Sequence, residues 1–271
     1  MFSSKAIAMR DPEVADFIKT AKVPFDAFAS PTHFIKHHRE WLVNNTFYIN
    51  GLDEFENAYV TAGVTEAFNE VYKDECFVLE GEYSYHKDLG IPIVDYKNIP
   101  NGSRLIISYP FAATGNPHNQ WKDILDHCEK NNIKIFVDAC LAGVSLGRID
   151  LRYPCITHIA FSFSKAFNTG HLRSGVVYTK SNDASPASIT NKHFYLNHLS
   201  MVLHTKLMNE FSSDFIFHKH RLKQIELCEE HSLIQSDCVL FGLDNNQRKC
   251  LSPALGNQLP FGHFAQSPNL V

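Results

Sequence analysis

Six short apolar runs set the limits on what this chain can fold into. They fall at 58–62 (AYVTA), 76–79 (CFVL), 104–109 (RLIISY), 133–138 (IKIFVD), 157–162 (THIAFS) and 174–178 (SGVVY). Their apolar residues are consecutive rather than alternate, and Gly, Pro or Asn bounds them. That is the pattern of strands covered on both faces. Helical patterns lie between the runs. Residues 65–73 follow Gly63, and 119–131 set Trp121, Ile124, Leu125 and Cys128 on one stripe. Strand alternating with helix predicts an α/β fold, a mostly parallel sheet flanked by helices.

The pattern changes in the last third. From about 190 to 232 it is helical, with Phe194, Leu196, Leu199, Val202 and Leu203 at helical spacing, and 214–229 carries His, Lys and Glu on its outer face. SDCVLFGLD at 236–244 reads as one strand, and 251–271, rich in Pro, Asn, Gln and Gly, as irregular chain. Three parts are expected: an N-terminal helical segment over 1–50, a large α/β domain over 51–215 and a small, reduced α+β C-terminal domain over 216–271.

Composition excludes several classes. The 271 residues are 44% hydrophobic and 20% charged, which suits a globular chain and not a disordered or coiled-coil one. A formal charge of -4 provides no basic field for nucleic acid. The longest apolar runs, 134–140 and 157–161, fall short of a bilayer, and MFSSKAIAMRDPEVADF lacks the apolar core of a signal peptide. Seven cysteines without a CxxC argue against a disulfide framework or a zinc ribbon and for a reducing, cytoplasmic setting. The 15 histidines are scattered and show no HExxH, so no metal is expected.

The stretch 133–178 carries the chemistry. Asp138 ends one buried run, Lys165 follows the end of the next, and Arg173 precedes a further one. In an open α/β sheet the carboxyl ends of parallel strands face the ligand crevice, so Asp138 and Lys165 project into it together. By residue type alone, Asp138 also suits a helix cap, Lys165 the surface, Tyr83 packing and Gly63 a tight turn. Ser162-Phe-Ser-Lys165 also fits S-x-x-K, a serine nucleophile with a lysine base, although no K-T-G follows.

Ser162-Phe-Ser-Lys165, followed by Gly170-His-Leu-Arg173-Ser-Gly175, resembles the signature of fold-type I pyridoxal-phosphate enzymes, in particular aminotransferase class I/II. Val60-Thr-Ala-Gly63-Val-Thr-Glu-Ala67 resembles the family's strand–turn–helix, and Leu79-Glu-Gly-Glu-Tyr83-Ser-Tyr85-His its aromatic segment. The resemblance implies a shortened, divergent member with pyridoxal 5'-phosphate as cofactor. Lys165 would be the catalytic lysine that forms the Schiff base, since only a primary amine can exchange with a substrate amine. Asp138 would face the pyridine nitrogen and keep it protonated. Ser162, Arg173, Gly63, Val64 and Thr65 would hold the phosphate, and Tyr83 would stack on the ring.

The same resemblance implies an amino-acid substrate, transamination first, with lyase, decarboxylase or cyclase chemistry of a specialised pathway as the alternative. A non-catalytic scaffold and the Ser162/Lys165 hydrolase are the remaining readings. A homodimer is also implied, with 25–45, including Phe28, His33 and Trp41, as the expected cross-subunit contact. Three positions depart from the pattern. Ala112-Ala-Thr-Gly115 replaces Asn-Pro-x-Gly, with Asn116 nearby but out of register, and Leu141 replaces a Tyr. Two donors to the cofactor's phenolic oxygen are thus missing. Arg248 is the candidate for the substrate carboxylate.

Overall fold

A computed structural model describes residues 5–43, 46–72, 74–182, 184–245 and 247–256. The elements run in chain order as α1 (Pro12–Thr20), α2 (Pro31–Leu42), β1 (Phe47–Asn50), β2 (Asn57–Thr61), α3 (Val64–Ala67), β3 (Cys76–Phe77) and α4 (Ser84–Asp88). Next come β4 (Arg104–Ser108), α5 (Trp121–Lys130), β5 (Lys134–Asp138), β6 (Gly147–Asp150), β7 (Ile156–Ser162), α6 (Ser164–Phe167) and β8 (Gly175–Thr179). Then follow α7 (Pro186–Lys192), α8 (His198–Glu210), α9 (Phe215–Glu230), β9 (Ile234–Gln235), β10 (Phe241–Asp244), β11 (Gln247–Cys250) and α10 (Ser252–Leu255).

The six apolar runs are the six strands of one sheet, in the order β2-β8-β7-β5-β4-β3. Strands β3, β4, β5 and β7 are parallel, and β8 pairs antiparallel with both β7 and β2. Their continuous apolarity has a direct cause. Ile106, Phe136, Ala160 and Val177 enter one buried cluster, with Val64, Phe68 and Val71. Their neighbours Leu105, Ile107, Ile135, Val137, Ile159, Phe161, Val176 and Tyr178 enter a second cluster, with Phe34, Leu207 and Ile216. Successive side chains point to opposite faces and helices cover both. Each buried large apolar side chain contributes about 1.5–3 kcal/mol of transfer free energy.

The sheet polarity positions the site. Strands β2, β4, β5 and β7 all finish at one edge, and β8, reversed, begins there. In register, Ser108 lies beside Asp138, Asp138 beside Ala160, and Gly175 beside both Ser162 and Thr61. Strand β2 is the outer strand, and Asn191 of α7 hydrogen-bonds its exposed edge, accepting from Val60 N and donating to Val60 O at 2.8 Å each.

Two expectations are corrected. The 65–73 helix shrinks to α3 followed by a 3-10 turn over Phe68–Glu70. There Glu70 turns inward, and its carboxylate accepts from the backbone of Ala187 at 2.9 Å, a tertiary bond that ends the α-helix. The 236–244 run is strand only from Phe241 onward and forms a hairpin with β11. Its first residues are held elsewhere: Asp237 N donates to Asn116 Oδ1 at 2.7 Å. The 251–256 part of the tail contains α10, and 257–271 lies outside the described residues. No helix among the described residues is long and apolar enough to cross a membrane.

Candidate active site

Gly63, Ser162 and Arg173 meet where β2, β7 and β8 come together. Gly63 has φ +84°, which L side chains avoid, and a Cβ there would lie 3.3 Å from Ser162 Oγ and 3.6 Å from Arg173 Nε. The bare glycine therefore keeps a concave space between the turn, a hydroxyl and a guanidinium. Arg173 Nη2 donates to Thr65 Oγ1 at 3.2 Å, which aims the guanidinium at the start of α3. Its Nε is buried without a protein partner. A buried N–H beside a Gly turn, a Ser and a Thr is the donor set that a phosphate completes.

Asp138 closes β5 next to this space. It is buried, and its Oδ1 accepts from the Cys140 backbone at 2.8 Å. Burial pushes its carboxyl above the usual range, and the nearby Lys165 ammonium opposes that rise. Such a carboxylate is incompletely compensated and suits a cationic ring nitrogen. Lys165, half-buried on α6, donates through Nζ to the Ala6 carbonyl at 2.7 Å. The fixed positions of α6 come partly from the same segment, since Met9 N donates to Lys165 O at 2.9 Å. Tyr83 lies just before α4, 43% exposed, with its ring 5.8 Å from that of Tyr85. The electrostatic surroundings of its phenol, Cys140, Arg173 and Asp138, place it at the same crevice.

Other residues turn out differently from the sequence reading. Ala112 and Leu141 are buried, and Asn116 faces Ser236 and Asp237 instead of the crevice. Arg248 donates to the Ala112 carbonyl and lies among Cys140, Cys238, Cys250 and Glu82. Trp41 packs inside its own chain: Nε1 donates to Phe211 O at 2.7 Å and the ring sits 5.4 Å from Phe163. Phe28, 64% exposed, stacks on His198 at 4.6 Å, while His33 stays exposed.

Three residues at or beside the site escaped the sequence reading. Glu82 accepts from Ser108 N at 2.7 Å and from Ser108 Oγ, ties the Tyr83 loop to the end of β4, and has its carboxyl pushed up to about 7 by burial. Cys140 lies against Asp138, to which its backbone N–H donates. Ala6 acts only through its carbonyl.

Comparison with known proteins shows the family and the fold. Residues 82–226, just over half of the chain, match the aminotransferase class I and II family. The chain belongs to that family, whose members depend on pyridoxal phosphate and share the fold-type I architecture. A PLP-bound protein from Clostridium difficile 630, described by sequence as an aminotransferase, is 16% identical, with 88% of this chain and 74% of that one covered at a TM-score of 0.57. The PLP-bound C-S lyase from Staphylococcus hominis is 15% identical (84% and 71% covered, TM-score 0.59). Tyrosine aminotransferase from Leishmania infantum is 12% identical (91% and 88% covered, TM-score 0.60). At these identities the likeness is one of fold. No curated protein matches the chain in sequence.

Proposed function

We propose that this crevice binds pyridoxal 5'-phosphate and that the chain is an aminotransferase acting on an amino acid. The observation that carries the reading is the convergence of Lys165, Asp138, Ser162, Gly63 and Arg173 at one sheet edge, with Arg173 Nε buried and unpartnered. Ser162, Arg173 and the turn through Gly63, Val64 and Thr65 hold the phosphate. Asp138 pairs with the pyridine nitrogen, and the Tyr83 ring lies against the cofactor face.

When bound, the cofactor supplies an electron sink for the bond broken at the substrate Cα. Lys165 then moves the proton at that carbon. The Ala6 carbonyl accepts one N–H of the free amine without being able to protonate it, which leaves the lone pair unprotonated. Arg248, held by the Ala112 carbonyl, is the cation we assign to the substrate carboxylate. The Ser162 nucleophile reading loses support, because Ser162 Oγ donates to Ser164 Oγ at 3.0 Å while Lys165 reaches Ala6. A cytoplasmic homodimer belongs to the same proposal, as does the division into parts at 51 and 216.

The test is an absorbance spectrum of the purified chain with added pyridoxal phosphate, then borohydride reduction and peptide mapping. A bleaching band with the label on Lys165 is expected. Absence of both overturns the reading. Amino acids with an added 2-oxo acid then give a new amino acid if the reaction is transamination; ammonia or carbon dioxide instead selects lyase or decarboxylase chemistry.

A further inference from the structure

His204 of α8 is fully buried, and both of its ring nitrogens are used. Nδ1 lies 2.7 Å from Ser174 Oγ, and Nε2 lies 2.9 Å from Thr169 Oγ1. One ring face stacks on Phe163, with centroids 4.4 Å apart and planes 23° from parallel. Those three partners belong to a single connection. Phe163 opens it after β7, Thr169 sits four residues beyond Lys165, and Ser174 follows Arg173 directly.

The connection has little order of its own. Helix α6 is a single turn that ends at Asn168 in the left-handed region, φ +53°. Beyond it the backbone bond from Leu172 N to Thr169 O, 3.1 Å, closes one turn. Yet the two side chains at its ends, Lys165 and Arg173, must keep a fixed separation to serve one ligand. A 13-residue helix supplies the rigidity that the connection lacks.

We propose that His204 is a positioning residue: it clamps the 163–174 connection so that Lys165 and Arg173 face one bound cofactor together. The assignment rests on the cofactor reading for what the two residues hold, and on the geometry alone for the clamp. Neutral imidazole presents one donor and one acceptor, and the Ser and Thr hydroxyls adapt to either tautomer, so both bonds form without a buried charge. Desolvation keeps the ring in that state, with its pKa pushed down to about 3.

The test compares His204→Phe, which keeps the stack on Phe163 but loses both bonds, with His204→Gln, whose amide restores a donor and an acceptor. Thr169→Val/Ser174→Ala removes the same bonds from the other side should His204→Phe fail to fold. Two net hydrogen bonds predict roughly tenfold faster amide exchange over 166–174, with β5 and β7 unchanged, and a roughly tenfold higher pyridoxal-phosphate Kd of the cofactor-free protein. His204→Gln should recover most of both. Wild-type loop exchange or wild-type cofactor affinity in His204→Phe overturns the proposal, as does faster exchange spread over the whole chain that His204→Gln does not reverse. If the wild-type chain does not take up the cofactor, the active-site reading fails, and the exchange pattern by itself decides on His204.

Discussion

The Lys165 amine and the Ala6 carbonyl, 159 residues apart in the chain, share a 2.7 Å hydrogen bond. The segment that provides it is pinned just beyond that contact. Ser252 Oγ donates to Ile7 O at 2.7 Å, and Met9 is wholly buried. At its far end Asp11 accepts from Lys219 and pairs with His220, and these partners hold its carboxyl far below the usual range despite burial. Residues 6–11 therefore form a fixed segment behind Lys165.

Lys165→Ala should leave the fold intact, because the side chain makes its polar contact with a half-buried backbone carbonyl that water can serve. Turnover and the borohydride-stable label should both vanish. Circular dichroism with peptide mapping checks this; surviving turnover removes Lys165 from the mechanism.

Asp138→Asn retains an acceptor for the Cys140 backbone and removes a buried charge that burial disfavours. The cofactor-free variant should be at least as stable as the parent near pH 8, while cofactor affinity falls by about tenfold or more with loss of a charge-assisted bond. Calorimetry with and without pyridoxal phosphate separates the two effects. Equal affinity would place the pyridine nitrogen elsewhere.

Gly63→Ala puts a Cβ 3.3 Å from Ser162 Oγ on a backbone with φ +84°, ψ 179°. That conformation costs a non-glycine residue roughly 1–3 kcal/mol. Thermal unfolding should show the cost, and a titration with pyridoxal phosphate should show a larger loss of affinity, since the new methyl group fills the concave space. A variant that unfolds earlier yet binds normally would mean that the turn serves only the fold.

Glu82 gives a pH signature. Its folded carboxyl titrates near 7, above the ordinary value of 4.5, so the folded state holds a proton more tightly than the unfolded one. Stability tied to this group is complete below about pH 4.5 and is lost as pH rises through 7. Glu82→Gln should flatten that part of the Tm profile between pH 5 and 8 and leave the chain more stable than the parent at the alkaline end. Parallel profiles would show that Glu82 stays ionised.

Arg248→Gln should raise KM for the amino acid by about tenfold or more, the range of one charge-assisted hydrogen bond, with cofactor affinity unchanged. Steady-state kinetics beside a cofactor titration reads the split. A raised cofactor Kd at constant KM would assign Arg248 to the cofactor instead.

The sheet was legible because its strands lie between two helical layers. Phe136 had to be apolar for one layer and Ile135 and Val137 for the other, which left a run no other element produces. Lys165, Asp138 and Arg173 drew attention because each sits at an end of such a run: Asp138 closes one, Lys165 follows one and Arg173 precedes one. What escaped acts through tertiary contact. Ala6 contributes a carbonyl that every residue possesses. Glu82 sits beside the aromatic that drew attention, and only the end of β3 at Phe77, short of Ser108, leaves it a backbone N–H to accept from. His204 was one of 15 histidines, distinguished by two hydroxyls that are 30 and 35 residues away. The over-long 65–73 helix and 236–244 strand failed for the same reason, through Glu70 and Asn116.

The segment behind Lys165 also has a place in the chain's biosynthesis. Ile7 reaches Cys250 and Ser252, contacts that span 243 and 245 residues. On the ribosome the six-stranded sheet, complete at Thr179, can assemble while those partners are still unmade. Ala6 is made early, but the contacts that fix its neighbour Ile7, and with it the carbonyl offered to Lys165, come only when nearly the whole described chain has emerged. The surroundings of Lys165 are thus fixed last, and a nascent chain stalled before residue 250 would carry the sheet without the anchors of Ile7.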